Sequence, residues 1–406
     1  MRKLFTILYV GTLLLISSCC CVPEGTLAKA TPESKGMNSA KLVLVDDVIN
    51  DAIAQGSIPG AVLSVVRDDK IVYLKAYGNK SVVPDTIPMT VETVFDLASV
   101  SKCVGTTLSF LQLVEKGKVR LTDDVKMYIP DFAPWIDPET GEKVDIRIID
   151  LMTHTSGIAP YVDMIAFTQR FGEGCPDTLI RFIATEAKRN FRPTTDYMYS
   201  CLNFITVQNI LQNVTGEKLC DYAQKNVFDA LGLKHTCYNP TGETLELCAP
   251  TEVQADGLPL VGKVHDPIAR RLNLGNSGNA GVFSNAEDLS VIAAAIMNGG
   301  AVNGHRILGD LTIEKMITVP EGNNPEVGRA LGWDNRSDAA GLKGDLFSST
   351  RTICHTGYTG TAMVMDMDQK TAVILLTHRV HPEDKGGIGR LRALVSNIVA
   401  GSIENE

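Results

Sequence analysis

Residues 60–77, GAVLSVVRDDKIVYLKAY, contain two apolar runs on either side of the charged turn Arg67-Asp-Asp-Lys70. Two apolar runs joined by a short polar turn are typical of a β-hairpin. A similar pair of runs, Thr361–Met367 and Thr371–Thr377, flanks the turn Asp368-Gln-Lys370. The sequence therefore predicts one hairpin towards each end of the chain.

Apolar residues at helical spacing surround both hairpins. They predict terminal helices over residues 40–53 and 389–403, and Ser284-Asn-Ala-Glu287 is a capping box that opens a helix over Glu287–Met297. The region between the hairpins contains further predicted helices at Ser101–Lys116, Asp177–Lys188, Leu202–Val214 and Leu219–Leu231. This order predicts an α/β (α+β) fold, in which an antiparallel sheet flanked by helices is built from both chain ends and holds a helical insertion.

The predicted domain boundaries follow from that order. Residues 39–98 and 256–406 form the α/β domain, and residues 99–255 form a mainly helical region. Residues 1–18 are assigned to a signal peptide and residues 19–38, which are polar and rich in small residues, to a tether.

The composition limits the classes of function. The chain has 406 residues, of which 44% are apolar and 21% charged, as in ordinary soluble globular proteins. This composition excludes long disorder and a multi-span membrane protein. The net charge of −9 and the lack of a basic stretch disfavour a nucleic-acid partner.

The N-terminus has the pattern of an export signal. Arg2 and Lys3 precede the apolar run Leu4–Ile16, and Ile16-Ser-Ser-Cys19 resembles the lipobox of bacterial lipoproteins. On this interpretation the chain is cut before Cys19, whose thiol carries the lipid, and the protein is exported as a membrane-anchored lipoprotein or a periplasmic protein. The alternative is an ordinary secretory signal cut near Ala28 or Ala30.

Ten cysteines are unusual for a chain of this length, and three of them are adjacent at Cys19, Cys20 and Cys21. The seven others lack C-x-x-C or zinc-type spacing, so the sequence predicts no metal site. A local disulfide between Cys237 and Cys248 remains open, because sequence alone does not fix connectivity.

The segment Phe95-Asp-Leu-Ala-Ser99-Val-Ser101-Lys102 contains an S-x-x-K motif. If Ser99 opens the helix that follows, Ser99 and Lys102 lie one turn apart on one face. A serine hydroxyl needs a base to become a nucleophile, and a lysine whose pKa is lowered by burial can serve. The backbone N–H of Ser99 at the helix N-terminus can stabilise an oxyanion.

Two further segments carry chemically useful residues. Tyr197-Met-Tyr199-Ser-Cys201 places a tyrosine in a turn before an apolar helix. His355-Thr356-Gly357 directly precedes the second hairpin. The order Ser-x-x-Lys, Tyr, His-Thr-Gly resembles the penicillin-recognising serine hydrolases, the group of class C β-lactamases, D-alanyl-D-alanine peptidases and related esterases. Asp150–Gly157 and Gly278–Ser284 are also similar to segments of that family.

The resemblance implies a β-lactamase/transpeptidase-like fold and a role for each matched residue. It implies that Ser99 is the nucleophile, that Lys102 is the base or proton relay, and that Tyr199 helps to activate the serine and to protonate the leaving group. His355, Thr356 and Gly357 would edge the substrate site, and the N–H of Tyr358 would be the second oxyanion donor. No metal or organic cofactor is implied.

Two positions depart from the family's pattern. The second motif is usually Tyr-x-Asn, but Cys201 stands at its third position and lacks an amide donor and acceptor for substrate. His355 replaces the lysine of many members and removes a fixed positive charge. We therefore expect acyl transfer to be retained and β-lactamase activity to be weakened.

Several alternatives stay open at this stage. The preferred function is an esterase or D-amino-acid peptidase on cell-wall-related substrates, followed by a class C β-lactamase and by a catalytically idle envelope binding module. We expect His154 to be structural, and no G-x-S-x-G elbow supports a triad with His265-Asp266. Cys201 is either a packed or a reactive thiol, and the oligomeric state is undetermined.

Overall fold

A computed structural model describes residues 25–321, 328–335, 340–348 and 350–404. The predicted signal peptide, Cys19 and the cysteines beside it lie outside these residues. In the described part of the chain, no helix combines the length and apolar character needed to cross a membrane.

The strands are short except in the central sheet, and they run β1 (Gly60–Arg67), β2 (Lys70–Ser81), β3 (Ile87–Pro88), β4 (Phe95–Asp96), β5 (Trp135–Ile136), β6 (Lys143–Val144), β7 (Cys237–Tyr238), β8 (Val282–Ser284), β9 (Ala301–Val302), β10 (His305–Arg306), β11 (Thr352–Thr356), β12 (Ala362–Asp366) and β13 (Thr371–Thr377). The α-helices are α1 (Ser39–Leu42), α2 (Val45–Ala54), α3 (Leu108–Glu115), α4 (Ile148–Met152), α5 (Met164–Phe171), α6 (Pro176–Thr185), α7 (Cys201–Thr215), α8 (Leu219–Ala223), α9 (Gly242–Leu247), α10 (Ala286–Met297), α11 (Asp310–Ile317), α12 (Ala340–Lys343) and α13 (Gly389–Gly401).

The two predicted hairpins join in one six-stranded sheet of order β11-β12-β13-β1-β2-β3. Strand β1 pairs antiparallel with β13 on one side and with β2 on the other. The chain ends therefore build the sheet together, and the predicted fold class is confirmed.

Strand β1 is buried along its whole length because both faces of the sheet are covered. Val62 and Val66 pack in the large core that includes α10 and the helical region. Leu63 and Val65 point to the opposite face, into a second core with α2 and α13. This alternation follows from the two-residue period of a strand.

The structure departs from the sequence pattern at one helix that is divided and at one helix start. The predicted helix over residues 40–53 is divided into α1 and α2. The predicted capping box is wrong, because Asn285, not Ser284, accepts the N–H of Asp288 and caps α10. Ser284 belongs to β8, and its hydroxyl pairs with that of Thr236 at 2.7 Å.

Residues 25–38, which the sequence assigns to the tether, lie against the domain. Leu27 and Met37 are buried, and the N–H of Ala30 donates to the carbonyl of Ile71 at 3.0 Å. This segment is therefore part of the folded body. The boundaries between the α/β domain and the helical region stay a prediction.

Candidate active site

The turn before Ser99 is held by a buried carboxylate. Asp96 accepts the backbone N–H of Ala98 at 2.8 Å and that of His265 at 2.6 Å. Ala98 adopts a φ of 44°, a conformation that L-residues rarely take. Because such a conformation needs support from its surroundings, Asp96 helps to fix the backbone that presents Ser99.

Ser99 lies in a short helical turn, Ala98–Val100, that leads into the helical segment Lys102–Thr107 and then into α3. Lys102 is fully buried, and its Nζ lies 3.0 Å from the Oγ of Ser99. The same Nζ donates to the carbonyl of Asn279 at 2.8 Å and to the Sγ of Cys201 at 3.5 Å. Three acceptors thus face the three donors of one ammonium group.

The expected lowering of the Lys102 pKa is wrong in direction. Burial lowers it, but the contacts of the ammonium with the thiol of Cys201 and the hydroxyl of Tyr199, together with the carboxylate of Asp266, raise it by more, so the pKa lies above its ordinary value. At neutral pH Lys102 is therefore an ammonium group that donates to Ser99, and an acceptor for the Ser99 proton would have to be another group.

Tyr199 is the group placed to be that acceptor. It precedes α7, and its hydroxyl is buried within reach of Ser99 and Lys102, although no well-formed hydrogen bond to it is present among the described residues. The Lys102 Nζ lies 5.0 Å from the centre of its ring. Burial raises the pKa of the phenol, and the Lys102 ammonium opposes that rise.

His154 holds the segment that contains Tyr199. Its carbonyl accepts the N–H of Met198 at 3.0 Å, and its Nδ1 accepts the N–H of Ser200 at 3.1 Å. The rings of His154 and Tyr199 are 4.4 Å apart. Burial keeps the pKa of His154 well below its usual range, so a neutral ring has a structural role here.

The third motif lies at the end of β11, beside the nucleophile turn. The hydroxyls of Thr359 and Thr361 donate to the carbonyls of Asp96 and Leu97 at 2.7 and 3.0 Å. A Cβ at Gly357 would come within 2.4 Å of the Leu97 carbonyl oxygen. The motif therefore needs glycine for close approach of the two backbones.

His355 does not take its predicted position at the edge of the cavity. Its side chain is buried, its Nδ1 bonds to the carbonyl of Thr356 at 2.9 Å, and it does not line the main cavity. Burial and the charges of Arg329 and Lys102 hold its pKa well below the usual range. The predicted substrate-edge residue is thus a neutral ring behind the site, 6.1 Å from the ring of Tyr199.

Cys201 begins α7 and lines the cavity beside Tyr199. Burial raises the pKa of its thiol, which favours the neutral form. The side chain of Asn279 faces this thiol, so a carboxamide is present near the position where the second motif lacks one. Sequence reasoning noted the 278–284 segment but did not assign Asn279 a role.

The main cavity has a volume of about 760 Å³. Six residues predicted for the site line it, namely Ser99, Tyr199, Cys201, Thr356, Gly357 and Tyr358, while Lys102 and His355 do not. Arg379 and Arg392 also line it, as do Glu252 and Asp266, so its wall carries both signs of charge.

The rim of the cavity contains a fixed aromatic group. The ring of Tyr358 stacks on His265 at 5.7 Å, and its hydroxyl donates to Asp384 at 2.7 Å. The Nε2 of His265 lies 3.3 Å from Glu252. His265 therefore belongs to the rim and is engaged by groups other than Ser99.

Besides Asn279, the sequence missed three contributors to the site. Asp96 stands inside the quoted S-x-x-K segment but has no recognisable local signal, and Arg379 and Arg392 come from the C-terminal part of the chain. Among the described residues, no group of three or more His, Cys, Asp or Glu side chains could hold a metal ion. Cys237 and Cys248 are free thiols, so the local disulfide left open above is absent.

A serine and a buried lysine one helical turn apart, with a buried tyrosine beside them, define a serine hydrolase on a sheet built from both chain ends. The family model described as Beta-lactamase matches residues 45–397, and the chain belongs to this family. The resemblance to penicillin-recognising serine hydrolases is thereby confirmed.

Curated relatives match nearly the whole chain. Proteins of Salmonella agona (strain SL483) and Escherichia coli (strain K12), each named "Putative D-alanyl-D-alanine carboxypeptidase", are both 29% identical to it. Each match covers 93% of this chain and 91% of the relative.

Solved structures share the fold. EstCE1, described as a hydrolase with promiscuous acyltransferase activity, has a TM-score of 0.72 at 23% identity, covering 89% of this chain and 99% of that one. A β-lactamase/D-alanine carboxypeptidase from Pseudomonas syringae has a TM-score of 0.67 at 19% identity, covering 90% of this chain and 100% of that one.

Proposed function

We propose that this protein forms an acyl-enzyme on Ser99 and hydrolyses esters or D-amino-acid peptides related to the cell wall. The observation that carries the proposal is the 3.0 Å contact between the Nζ of Lys102 and the Oγ of Ser99 beside the buried hydroxyl of Tyr199. Ser99 and Tyr199 open onto the same cavity, where a substrate carbonyl can reach them.

In the proposed reaction, Tyr199 acts in the fraction of molecules in which its phenol is deprotonated, a fraction that its raised pKa keeps small at pH 7. The Oγ of Ser99 attacks the substrate carbonyl carbon while its proton passes to this phenolate. The Lys102 ammonium favours both the alkoxide and the phenolate through its positive charge. The N–H groups of Ser99 and Tyr358 stabilise the oxyanion. Tyr199 then gives the proton to the leaving alcohol or amine, and water releases the acyl group by the same steps in reverse.

The substrate class is inferred from the cavity wall. The relatives named as carboxypeptidases favour a D-amino-acid peptide, and Arg379 and Arg392 offer positive charge for a substrate carboxylate. Cys201 and the neutral His355 weaken the grip on a β-lactam amide and carboxylate. We therefore rank esters and peptides before β-lactams.

We also propose that the protein is exported and attached to the bacterial membrane by a lipid on Cys19. The support is the N-terminal sequence alone, in which a basic start and an apolar run precede Ser17-Ser-Cys19. Metabolic labelling with a palmitate analogue should mark the wild type, and Cys19→Ala should remove the mark. Labelling that survives in this variant would exclude Cys19 as the anchor.

Covalent labelling tests the nucleophile. A fluorophosphonate probe should label the wild-type protein, and Ser99→Ala should abolish the label. Ser101→Ala is the matched control, because Ser101 is a buried serine two residues away whose hydroxyl accepts the N–H of Val282. If neither a fluorophosphonate nor a fluorescent penicillin labels the wild type, the idle binding module becomes the better proposal.

A substrate panel separates the remaining classes. p-Nitrophenyl butyrate, a peptide ending in D-Ala-D-Ala and nitrocefin should be compared by kcat/KM. We expect turnover of the first or the second to exceed that of nitrocefin by at least tenfold. Efficient nitrocefin turnover would reverse our ranking in favour of a β-lactamase.

A further inference from the structure

Arg329 is a buried cation next to the catalytic tyrosine, although it does not line the cavity. Its Nη1 lies 3.1 Å from the Oδ2 of the buried Asp334. Its guanidinium carbon lies 5.7 Å from the ring centre of Tyr199 and 5.9 Å from that of Tyr197. Moving such a charge out of water costs free energy. A buried cation beside Tyr199 is therefore expected to have a function that compensates for this cost.

The groups around Arg329 leave its charge only partly satisfied. Among the described residues, the Nε and Nη2 of Arg329 have no hydrogen-bond partner. The Nε2 atoms of His154 and His355 and the hydroxyl of Tyr199 are likewise buried without one. After burial itself, the charge of Arg329 is the largest cause that lowers the pKa of both histidines, so its field reaches the site.

We propose that Arg329 is a positioning residue for catalysis, whose buried guanidinium stabilises the phenolate of Tyr199 and supplies the positive charge that a lysine at position 355 would provide. This inference rests on the proposed acylation of Ser99. Arg329 acts through Tyr199 and touches no substrate atom.

The charged groups that face Tyr199 determine whether each substitution raises or lowers the pKa of its phenol. Lys102 lies on the helical segment after Ser99, Cys201 on α7, His355 on β11 and His154 in the loop after α4. Both histidines are neutral and the thiol is protonated, so that of these described groups Lys102 and Arg329 are the ones that carry positive charge. The carboxylate of Asp334 offsets part of the positive charge of Arg329. The thiol of Cys103 is another titratable group beside this guanidinium, and it favours the charged form of Arg329.

The inference therefore predicts opposite shifts for two partners of one ion pair. Arg329→Gln removes a cation and should raise the Tyr199 pKa, whereas Asp334→Asn unmasks the same cation and should lower it. Lost packing alone would not move the pKa in opposite directions.

The test measures the pH dependence of kcat/KM with p-nitrophenyl butyrate between pH 5 and 10.5. Because the pKa of Tyr199 lies above its ordinary value, kcat/KM should rise with pH across this whole range, and this rise is the limb that the variants displace. We expect Arg329→Gln to displace the rising limb by at least one pH unit to higher pH, which reduces kcat/KM at pH 7 at least tenfold. The kcat/KM of Arg329→Lys should stay within threefold of the wild-type value, and Asp334→Asn should displace the rising limb to lower pH. Arg67→Gln, which removes a buried arginine that contacts Gln369 and Thr371, is the matched control and should leave the limb in place.

A second readout does not depend on activity. The Tyr199 phenol can be titrated by absorbance at 295 nm, as the difference between each variant and the same variant carrying Tyr199→Phe. The inference would be overturned if the midpoint of the Tyr199 titration is unchanged in Arg329→Gln and Asp334→Asn, or if it shifts in the same direction in both variants. If the wild type fails to label with fluorophosphonate but the midpoints move as expected, the acylation proposal fails and the electrostatic role of Arg329 stands.

Discussion

The Sγ of Cys201 lies 3.5 Å from the Nζ of Lys102, at the position where the family's second motif usually has asparagine. A thiol accepts weakly from the ammonium but offers substrate no amide donor. Cys201→Asn should therefore restore a grip on the amide of a β-lactam. We expect acylation by a fluorescent penicillin to rise at least tenfold, with p-nitrophenyl butyrate turnover within threefold of the wild type.

Cys201→Ser is the control for this change, because it introduces a hydroxyl that does not reach as far as a carboxamide. Equal penicillin acylation in the two variants, or no gain in either, would show that the missing amide is not what limits β-lactam binding.

Tyr199→Phe separates catalysis from stability. The variant lacks the phenol that we propose as the relay for the Ser99 proton, so ester turnover should fall by about 10²–10⁴-fold. The hydroxyl is buried without a well-formed partner among the described residues, and its removal should stabilise the fold by about 1 kcal/mol. Urea unfolding together with kcat/KM checks both effects, and a destabilised variant of normal activity would contradict the assigned role.

Gly357→Ala tests the close approach of β11 to the nucleophile turn. The added Cβ would lie 2.2 Å from the Oγ1 of Thr361 and 2.4 Å from the carbonyl oxygen of Leu97. Such overpacking should cost about 1–3 kcal/mol, and displacement of the adjoining N–H of Tyr358, the proposed oxyanion donor, should reduce kcat/KM by about 10²-fold. In Gly401→Ala the new methyl meets only Leu346, at 3.7 Å, so this matched control should be near neutral.

His378 gives the stability a dependence on pH. It is buried against Phe95 and His381, and burial with the neighbouring His381 lowers its pKa to about 3. The unfolded chain takes up a proton near pH 6.5, so stability is full above that value and is lost as the pH falls towards 3.

In His378→Gln the loss of stability between pH 7.5 and 4.5 should be smaller than in the wild type, by about 3 kcal/mol. Urea unfolding at the two pH values measures it. The difference at pH 7.5 reports packing alone, because the ring is neutral there in the folded chain. Parallel pH dependence in the two proteins would show that His378 does not contribute.

The sequence by itself determined the local features. The two hairpins follow from apolar runs around polar turns, and the spacing of Ser99 and Lys102 puts them one turn apart whatever surrounds them. Together with Tyr199 and the His355-Thr356-Gly357 motif, these patterns were enough to identify the family, because each depends on residues close together in the chain.

The tertiary structure decided the features that depend on distant residues. His355 lies behind the cavity rather than at its edge, and Arg329 lies beside Tyr199 although 130 positions separate them in the sequence. The pKa of Lys102 is raised because Cys201 and Tyr199 from another segment outweigh its burial. Burial and the field of a neighbouring charge depend on distance in space, which no local pattern of residues encodes.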